Sequence, residues 1–246
     1  MQEVPFDELP LDGGDIRREI AREYVTLWRG DVICGIGTYN VGAGFAGEQI
    51  ISAHGTLLIW SQDFEIVDLA MPQYYSIMEF GRRSTPWITL RSDKQIMTFM
   101  SLHASVKRAA ELVPLILREM DSFEERHIIA LGDFNMGPQA IVDAANDLSP
   151  PSDNDGSGIA LSERLALHVF PGFTHVDKAN DNHAYHIDHI LASANVRLAD
   201  LRIDGIDQKR RLCTLAGHDH GIIRANMCLI DNIVHCPPID DCQNEL

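Results

Sequence analysis

The sequence has few basic residues, and this shortage limits what the protein can bind. It carries 20 Lys and Arg against 36 Asp and Glu in 246 residues, a formal net charge of −16 at pH 7. A surface this acidic repels phosphate polyanions at long range, which argues against a general nucleic-acid coat protein but not against an enzyme that meets phosphates at one local cleft. Glycine, at 18 residues, is too sparse for collagen, and a hydrophobic content of 45% excludes a disordered chain.

Long apolar runs and a regular set of cysteines are also absent. No stretch approaches the roughly 20 apolar residues of a membrane helix, so no membrane span is expected. The opening residues MQEVP show no signal-peptide pattern, and both secretion and cytoplasmic residence stay open. The odd count of 5 Cys predicts mostly free thiols, with a disulfide between Cys236 and Cys242 as the alternative in an exported protein.

Short β-branched and aromatic runs recur along the chain and predict strands. They cover residues 55–60, 64–69, 87–91, 95–102, 127–131, 187–192 and 221–227. A strong helical pattern covers residues 105–120, with Ser105 as the expected N-cap, and a weaker one covers residues 15–28. Many short strands with few helices predict an α/β sandwich rather than a doubly wound sheet. Residues 147–158, rich in Pro, Ser, Asn and Asp, are expected to form a surface loop.

The strongest local motif follows an apolar strand. Residues 128–131 run into Gly132, and Asp133 and Asn135 then follow two positions apart, on the same side of an extended chain. A carboxylate and an amide at this spacing suit a hard cation and a phosphoryl oxygen. A strand end with an Asx turn would explain the same residues in purely structural terms. His103 ends the preceding strand, which is expected to be the neighbour of this one in the sheet.

Histidines and aspartates are concentrated in the second half of the chain. Of the 11 His, seven fall between His175 and His235. Asp188 begins one apolar strand, and the pair Asp219-His220 precedes another. An Asp beside a His provides a proton carrier with an orienting partner. Aspartates at the heads of several strands would meet at one sheet edge, where they would hold a cation or a phosphate.

Taken in order, these motifs resemble the endonuclease/exonuclease/phosphatase superfamily, above all its deoxyribonuclease and cytolethal-distending-toxin-subunit branch. The matching segments cover nearly the whole chain: Gln2-Glu3-Val4, Arg83 before Pro86, Leu102-His103-Ala104, Gly132-Asp133-Phe134-Asn135, Thr174-His175, residues 185–190 with Asp188, and Asp219-His220. The resemblance implies a four-layer α/β/β/α sandwich of two packed, mostly antiparallel sheets with outer helices. A single domain over residues 1–246 is expected.

The resemblance also implies a metal-dependent phosphodiesterase, most simply an endonuclease whose substrate is DNA or RNA. Glu3 would bind the divalent cation, which would be Mg²⁺ or alternatively Mn²⁺ or Ca²⁺. Asp219 would lie close to the same metal. Arg83, or its neighbour Arg82, would neutralise a phosphate oxygen.

Five further residues receive catalytic roles from the same resemblance. Asp133 and Asn135 would position the attacking water and the scissile phosphate, and His103 would be a second acid or base. His220 would carry a proton and contact the phosphate, and Asp188 would orient a histidine. These roles agree with the chemistry, because attack of water on a phosphodiester builds charge that a metal and a protonated His stabilise.

The sequence departs from the superfamily at its start. Members usually carry an Asn-bearing strand ahead of the Gln-Glu motif, and here the sequence begins at that motif, so a missing first strand is expected. Asn40 does not replace the missing Asn, because it follows Glu3 instead of preceding it. His218 also stands where a Ser often precedes the last Asp-His pair.

Other functions compete with the nuclease. A phosphatase acting on a phospholipid, an inositol phosphate or a nucleotide would use the same residues, and a catalytically silent fold relative would bind a partner. Residues 42–47 spell G-x-G-x-x-G, but residues 48–54 offer only two helical turns before Gly55, too few for a dinucleotide fold. His186, Asp188 and His189 match part of a zinc motif whose further His is replaced by Ala184. The oligomeric state stays open.

Overall fold

A computed structural model of the chain describes residues 32–36, 48–53, 56–61, 64–70, 87–92, 95–123, 127–146, 148, 158–177, 183–204 and 220–229. The strands of the first half are β1 (Val32–Ile36), β2 (Glu48–Ala53), β3 (Thr56–Ser61), β4 (Glu65–Ala70), β5 (Trp87–Ser92) and β6 (Gln95–His103). Helix α1 (Ala109–Ser122), strand β7 (His127–Asp133) and helix α2 (Pro138–Ala144) follow. The remaining strands are β8 (Ile159–Ala160), β9 (Leu165–His168), β10 (His175–Val176), β11 (Ala184–Tyr185), β12 (Asp188–Ser193), β13 (Val196–Asp204) and β14 (Ile222–Leu229).

A seven-stranded sheet with the order β4-β5-β6-β7-β12-β9-β8 forms the centre of the described structure. Strands β6 and β7 run parallel because α1 connects them, and the other neighbours in this sheet are antiparallel. Strands β13 and β14 form a second, antiparallel sheet. The hairpin β10-β11 and the sheet β1-β3-β2 complete the pairing, and β1 and β3 lie against β6.

The two faces of the central sheet are buried by different partners, because successive side chains of a strand point to opposite faces. On one face the apolar stripe of α1 packs with Leu102, Ala130 and Leu191. Its members are the residues predicted from the sequence: Ala109, Leu112, Val113, Ile116, Leu117 and Met120. On the other face, Phe99, Ile129 and Ile190 pack against residues of β13 and β14. Each fully buried side chain of this kind contributes roughly 1.5–3 kcal/mol.

The predicted fold class, an α/β sandwich of packed, mostly antiparallel sheets with outer helices, is confirmed. Both described helices lie on the same face of the central sheet. The helix predicted over residues 15–28 lies outside the described residues, as does most of the predicted loop over 147–158. Neither α1 nor α2 has the length and apolar character needed to cross a membrane.

Several local predictions need correction. Helix α1 begins at Ala109 and not at Ser105, whose carbonyl instead accepts a hydrogen bond from Arg108 N in the preceding turn. The segment expected as two helical turns after residues 42–47 is strand β2, so a dinucleotide-binding helix is absent there. Helix α2 and strands β9 and β13 are found where the sequence pattern predicts neither helix nor strand.

Candidate active site

Three polar side chains lie in one row across the centre of the seven-stranded sheet. His103 at the end of β6 lies directly opposite Asp133 at the end of β7, and Asp133 lies opposite Asp188 at the start of β12. Residues directly opposite each other project from the same face of the sheet. The apolar residues two and four positions along each strand share that face, and they belong to the core that packs against β13 and β14. All three side chains are buried. The structure thus confirms that the strand ending in His103 is the neighbour of the strand ending in Asp133.

His220 bonds to the last member of this row. Its Nδ1 lies 2.9 Å from Asp188 Oδ2. Because a carboxylate only accepts, Nδ1 carries the hydrogen of this bond. Burial alone would raise the pKa of Asp188, but the charge and hydrogen bond of His220 outweigh it and hold that pKa below its ordinary value. Asp188 is therefore ionised and fixes the orientation of the His220 ring.

Asn135 folds back on Asp133 through two hydrogen bonds. Asn135 N donates to Asp133 Oδ1 at 2.7 Å, and Asn135 Nδ2 donates to Asp133 Oδ2 at 2.8 Å. The same Nδ2 donates to the carbonyl of Ala104 at 2.7 Å. Asn135 has a φ of 49°, a left-handed conformation that Asn tolerates better than most residues. The Asx turn offered as a structural explanation is therefore present, and it sets the position of both side chains.

His103 approaches Asp133 without a direct hydrogen bond. Its Nε2 lies 3.7 Å from Asp133 Oδ2, a distance typical of an ion pair but too long for a hydrogen bond. Both side chains are almost fully buried. The arrangement places a second imidazole beside the carboxylate that Asn135 already contacts.

Thr174, for which the sequence analysis proposes no role, contacts the backbone at Asp188. Its Oγ1 accepts hydrogen bonds from Ile187 N at 3.1 Å and from Asp188 N at 3.0 Å. Its carbonyl accepts a hydrogen bond from Gly221 N at 2.7 Å. Thr174 therefore ties the start of β12 to the segment that carries His220. The motif Thr174-His175 was the one sequence feature that pointed to this residue.

A line of aromatic rings, here called the ring ladder, leads outward from His220 through His175, Tyr185 and His183. His220 and His175 face each other through a backbone bridge, with ring centroids 4.6 Å apart. The centroid of Tyr185 lies 5.6 Å from that of His175, and the centroid of His183 lies 6.4 Å from that of Tyr185. His220 is buried, whereas Tyr185 is 43% exposed. The ladder thus connects the buried row to the surface.

The predicted metal and phosphate ligands stay predictions. Glu3, Asp219 and Arg83 lie outside the described residues, as does Asn40. Within the described ranges, no three His, Cys, Asp or Glu side chains group as metal ligands. Asp133 and Asp188 supply carboxylate oxygens of the kind Mg²⁺ prefers. Asn135 donates to both oxygens of Asp133 and His220 donates to Oδ2 of Asp188, whereas the buried Oδ1 of Asp188 accepts no hydrogen bond from the described residues. Because no three such side chains group together in the described ranges, these residues do not form a metal site by themselves.

The side chains of the partial zinc motif do not meet at one point. The His186 ring packs edge-on against Phe173, with centroids 4.9 Å apart, and burial lowers its pKa. His189 is adjacent to Asp188 on β12 and therefore projects from the opposite face of the sheet. These positions rule out a shared zinc ion bound by His186, Asp188 and His189.

No protein-family model and no curated protein matches the chain, but solved structures share its fold. TDP2 of D. rerio complexed with a single-strand DNA product aligns over 92% of this chain and 84% of its own at 11% identity, with a TM-score of 0.54. A D. rerio TDP2 humanized by 14 mutations aligns over 79% of this chain and 85% of its own at 10% identity, with a TM-score of 0.55. An endonuclease/exonuclease/phosphatase from Bacteroides vulgatus aligns over 81% and 85% at 14% identity, with a TM-score of 0.53. These similarities confirm the endonuclease/exonuclease/phosphatase fold, and the deoxyribonuclease-like branch stays a prediction.

Proposed function

We propose that the protein is a metal-dependent phosphodiesterase that hydrolyses a nucleic acid. The observation that supports this most is the row formed by His103, Asp133 and Asp188, with His220 bound to Asp188. Distant parts of the sequence bring acids and imidazoles to one buried face, where apolar residues would be the ordinary choice. Such groups in such places are typical of active sites. The shared fold adds weight, although a fold alone does not determine function.

In this proposal, Asp133 and Asn135 position the attacking water and the scissile phosphate. Both hydrogens of the Asn135 side-chain amide are directed at Ala104 and Asp133, which leaves its Oδ1 as the atom that accepts a hydrogen from the water. Asp133 Oδ2 accepts the proton that the water loses on attack. His103, 3.7 Å from that oxygen, is the second acid or base.

His220 is assigned to the phosphate, as a contact and a proton donor. Asp188 holds its Nδ1–H, so the protonated Nε2 contacts the scissile phosphate. As water attacks and the P–O bond to the leaving oxygen breaks, Nε2 delivers its proton to that oxygen, where negative charge develops. Asp188 stays ionised throughout and stabilises the protonated imidazole, as the carboxylate of a catalytic triad does. The pair therefore acts as one unit, with His220 as the catalytic residue and Asp188 as its positioning residue.

A divalent cation, most simply Mg²⁺, would neutralise charge on a non-bridging phosphate oxygen when bound. Glu3 is assigned as its ligand, with Asp219 close to it, on the resemblance of the sequence motifs. Arg83 is assigned to a further phosphate oxygen. Removal of divalent cations with a chelator should abolish turnover, and added Mg²⁺ should restore it.

The ring ladder supports a nucleic acid over a small phosphate monoester. Bases of a single strand stack on aromatic side chains, with roughly 1–3 kcal/mol per base, and Tyr185 and His183 offer rings at the surface beside the buried row. TDP2 of D. rerio, which shares the fold, has been solved with a single-strand DNA product. A net charge of −16 requires the phosphate contacts to be local, so binding should weaken steeply with added salt.

The test is Mg²⁺-dependent cleavage of plasmid DNA and of a labelled single-stranded oligonucleotide by the wild-type protein. His220→Ala and Asp133→Ala should each abolish cleavage. Asp143→Ala is the matched control, because this exposed carboxylate on α2 accepts a hydrogen bond from Gln139, a residue with no assigned role, and its loss should leave cleavage unchanged. Full activity in both site variants would contradict the assigned site.

The competing functions give different results in the same assay. Intact DNA together with hydrolysis of a phosphoinositide or a nucleotide would favour the phosphatase. A folded protein without turnover of any phosphoester would favour the silent relative that binds a partner.

A further inference from the structure

His189 is buried behind the site and contacts the loop that follows β7. It is 1% exposed and lies on β12 next to Asp188, on the face of the sheet that packs against the helices. Its Nε2 lies 2.9 Å from the carbonyl oxygen of Met136. Because a carbonyl only accepts, Nε2 carries the hydrogen and donates it. Burial holds the pKa of His189 below its ordinary value, so the ring is neutral at pH 7 and acts through this hydrogen bond.

A second anchor fixes the same loop on the other side of Asn135. Phe134 N donates to the carbonyl of Ile187 at 2.8 Å, and the Phe134 ring, fully buried, meets the His189 ring with centroids 5.8 Å apart. The residues before and after Asn135 are therefore both held by the start of β12. Asn135 between them has its φ at 49°, the left-handed conformation that closes the turn.

We propose that His189 is a positioning residue that holds the turn of Asp133 and Asn135 in its active geometry through the carbonyl of Met136. This inference rests on the function proposed above, because Asp133 and Asn135 are the residues assigned to the attacking water. Loss of the donor leaves the Met136 carbonyl without this partner and frees one side of the turn. The attacking water should then be positioned less accurately, whereas the affinity for the remote parts of the substrate should not change.

Two substitutions separate the hydrogen bond from simple packing. His189→Leu keeps an apolar side chain but has no donor, and it should lower kcat about 10- to 100-fold with little change in KM. His189→Gln retains an N–H donor at a similar reach and should keep most of the wild-type kcat. Equal losses in both variants, or an unchanged kcat in His189→Leu, would overturn the proposal.

Ser193→Ala is the matched control for loss of a buried hydrogen bond on the same strand. Ser193 Oγ accepts from Ile128 N at 2.5 Å and donates to Ile128 O at 3.2 Å, at the far end of β12. This variant should lower the Tm and leave kcat and KM unchanged. A fall in kcat as large as that of His189→Leu would show that general destabilisation explains the result, and would overturn the proposal.

Nitrogen NMR gives a readout that does not depend on activity. The His189 ring of the wild-type protein should carry its hydrogen on Nε2, and the Asn135 backbone and side-chain amide signals should shift in His189→Leu but not in Ser193→Ala. A hydrogen on Nδ1, or unmoved Asn135 signals, would overturn the inference. The expected shifts in a protein without phosphoesterase activity would support the positioning role while contradicting the proposed function.

Discussion

The two ends of the central strands β6, β7 and β12 carry different kinds of polar group. At one end lie the buried, titratable side chains of His103, Asp133 and Asp188, directly opposite one another on neighbouring strands. At the other end Ser193 bonds to the backbone of Ile128, and no charge is involved. A neutral side-chain to backbone bond satisfies polar groups and stabilises the sheet. Buried ionisable groups contribute little net stability compared with apolar residues of the same size.

This difference suggests that the end with the row serves activity and that the Ser193 end serves stability. Variants at the row that keep a hydrogen-bonding group of similar shape, such as Asp to Asn, should lose activity while the fold changes little. Variants at the Ser193 end should lose stability while activity is kept. Proteins retain groups that do not favour stability mainly where function needs them. Each prediction below tests one side of this division.

Asp188→Asn should have the largest effect. Without the carboxylate, the His220 ring loses the partner that fixes its tautomer and stabilises its charge, so kcat should fall about 1,000-fold, or about 4 kcal/mol. The free energy of unfolding should change by much less than this. Steady-state kinetics on an oligonucleotide and a melting curve measure both, with Asp143→Asn as the exposed control. A preserved kcat would remove Asp188 from the site.

Ser193→Ala should lower the free energy of unfolding by about 1–3 kcal/mol, because the backbone N–H and carbonyl of Ile128 both lose a buried partner. At 25 °C its kcat should equal that of the wild-type protein. Urea titration and kinetics on the same samples provide the comparison. A stable variant with lowered kcat would show that the two ends are coupled and that the division is wrong.

His103→Gln should have a smaller effect on activity than Asp188→Asn. The His103 ring lies 3.7 Å from Asp133 Oδ2, without a direct hydrogen bond, and Asn135 supports that carboxylate in its place. We expect kcat to fall about tenfold, or about 1.4 kcal/mol. Kinetics of the single and the double variant with Asp188→Asn would measure any coupling. A loss equal to that of Asp188→Asn would place His103 and His220 in one functional unit.

How much of the fold the sequence predicted depends on the length and regularity of each element. The stripe of α1 and strands such as β6 and β7 have clear patterns and were found. Strand β13 was missed because its alternation breaks at a register shift between Ala199 and Arg202, where Asp200 has a φ of 53°. Strands β8, β10 and β11 have two residues each, too few to show a period. The seven-residue α2 gave only Pro138 at its first position as a signal.

The candidate site divides in the same way. Asp133, Asn135 and Asp188 follow or begin apolar strands, so their meeting at one edge could be predicted from strand order. Thr174 and His189 could not be found this way, because they act through backbone groups of other segments. His189, for example, bonds to a carbonyl 53 residues away in the sequence. Such a contact exists only once the sheet and the loop after β7 have come together.

The smallest predicted effect is a pH dependence of stability that originates behind the row. Burial lowers the pKa of His189 from 6.5, so below pH 6.5 the unfolded chain binds a proton there that the folded chain does not. The free energy of unfolding should therefore fall as the pH falls, by at most about 1.4 kcal/mol per pH unit for this group. His189→Gln should flatten this slope between pH 7 and about pH 5, measured by urea titration. A residual slope is expected because burial also lowers the pKa of His186.

Asp188→Asn provides the contrast on the opposite face of the same strand. The pKa of Asp188 is held below 3.8, so its contribution is present above that pH and is lost only as the pH falls through the lowered pKa. Between pH 7 and about pH 5, Asp188→Asn should still change the slope, because His220 loses the carboxylate that stabilises its protonated ring. His189→Gln, on the opposite face of the strand, should flatten the slope without this effect on His220. Identical slopes in the wild-type protein and His189→Gln would mean that the His189 ring takes up its proton equally in the folded and unfolded chains.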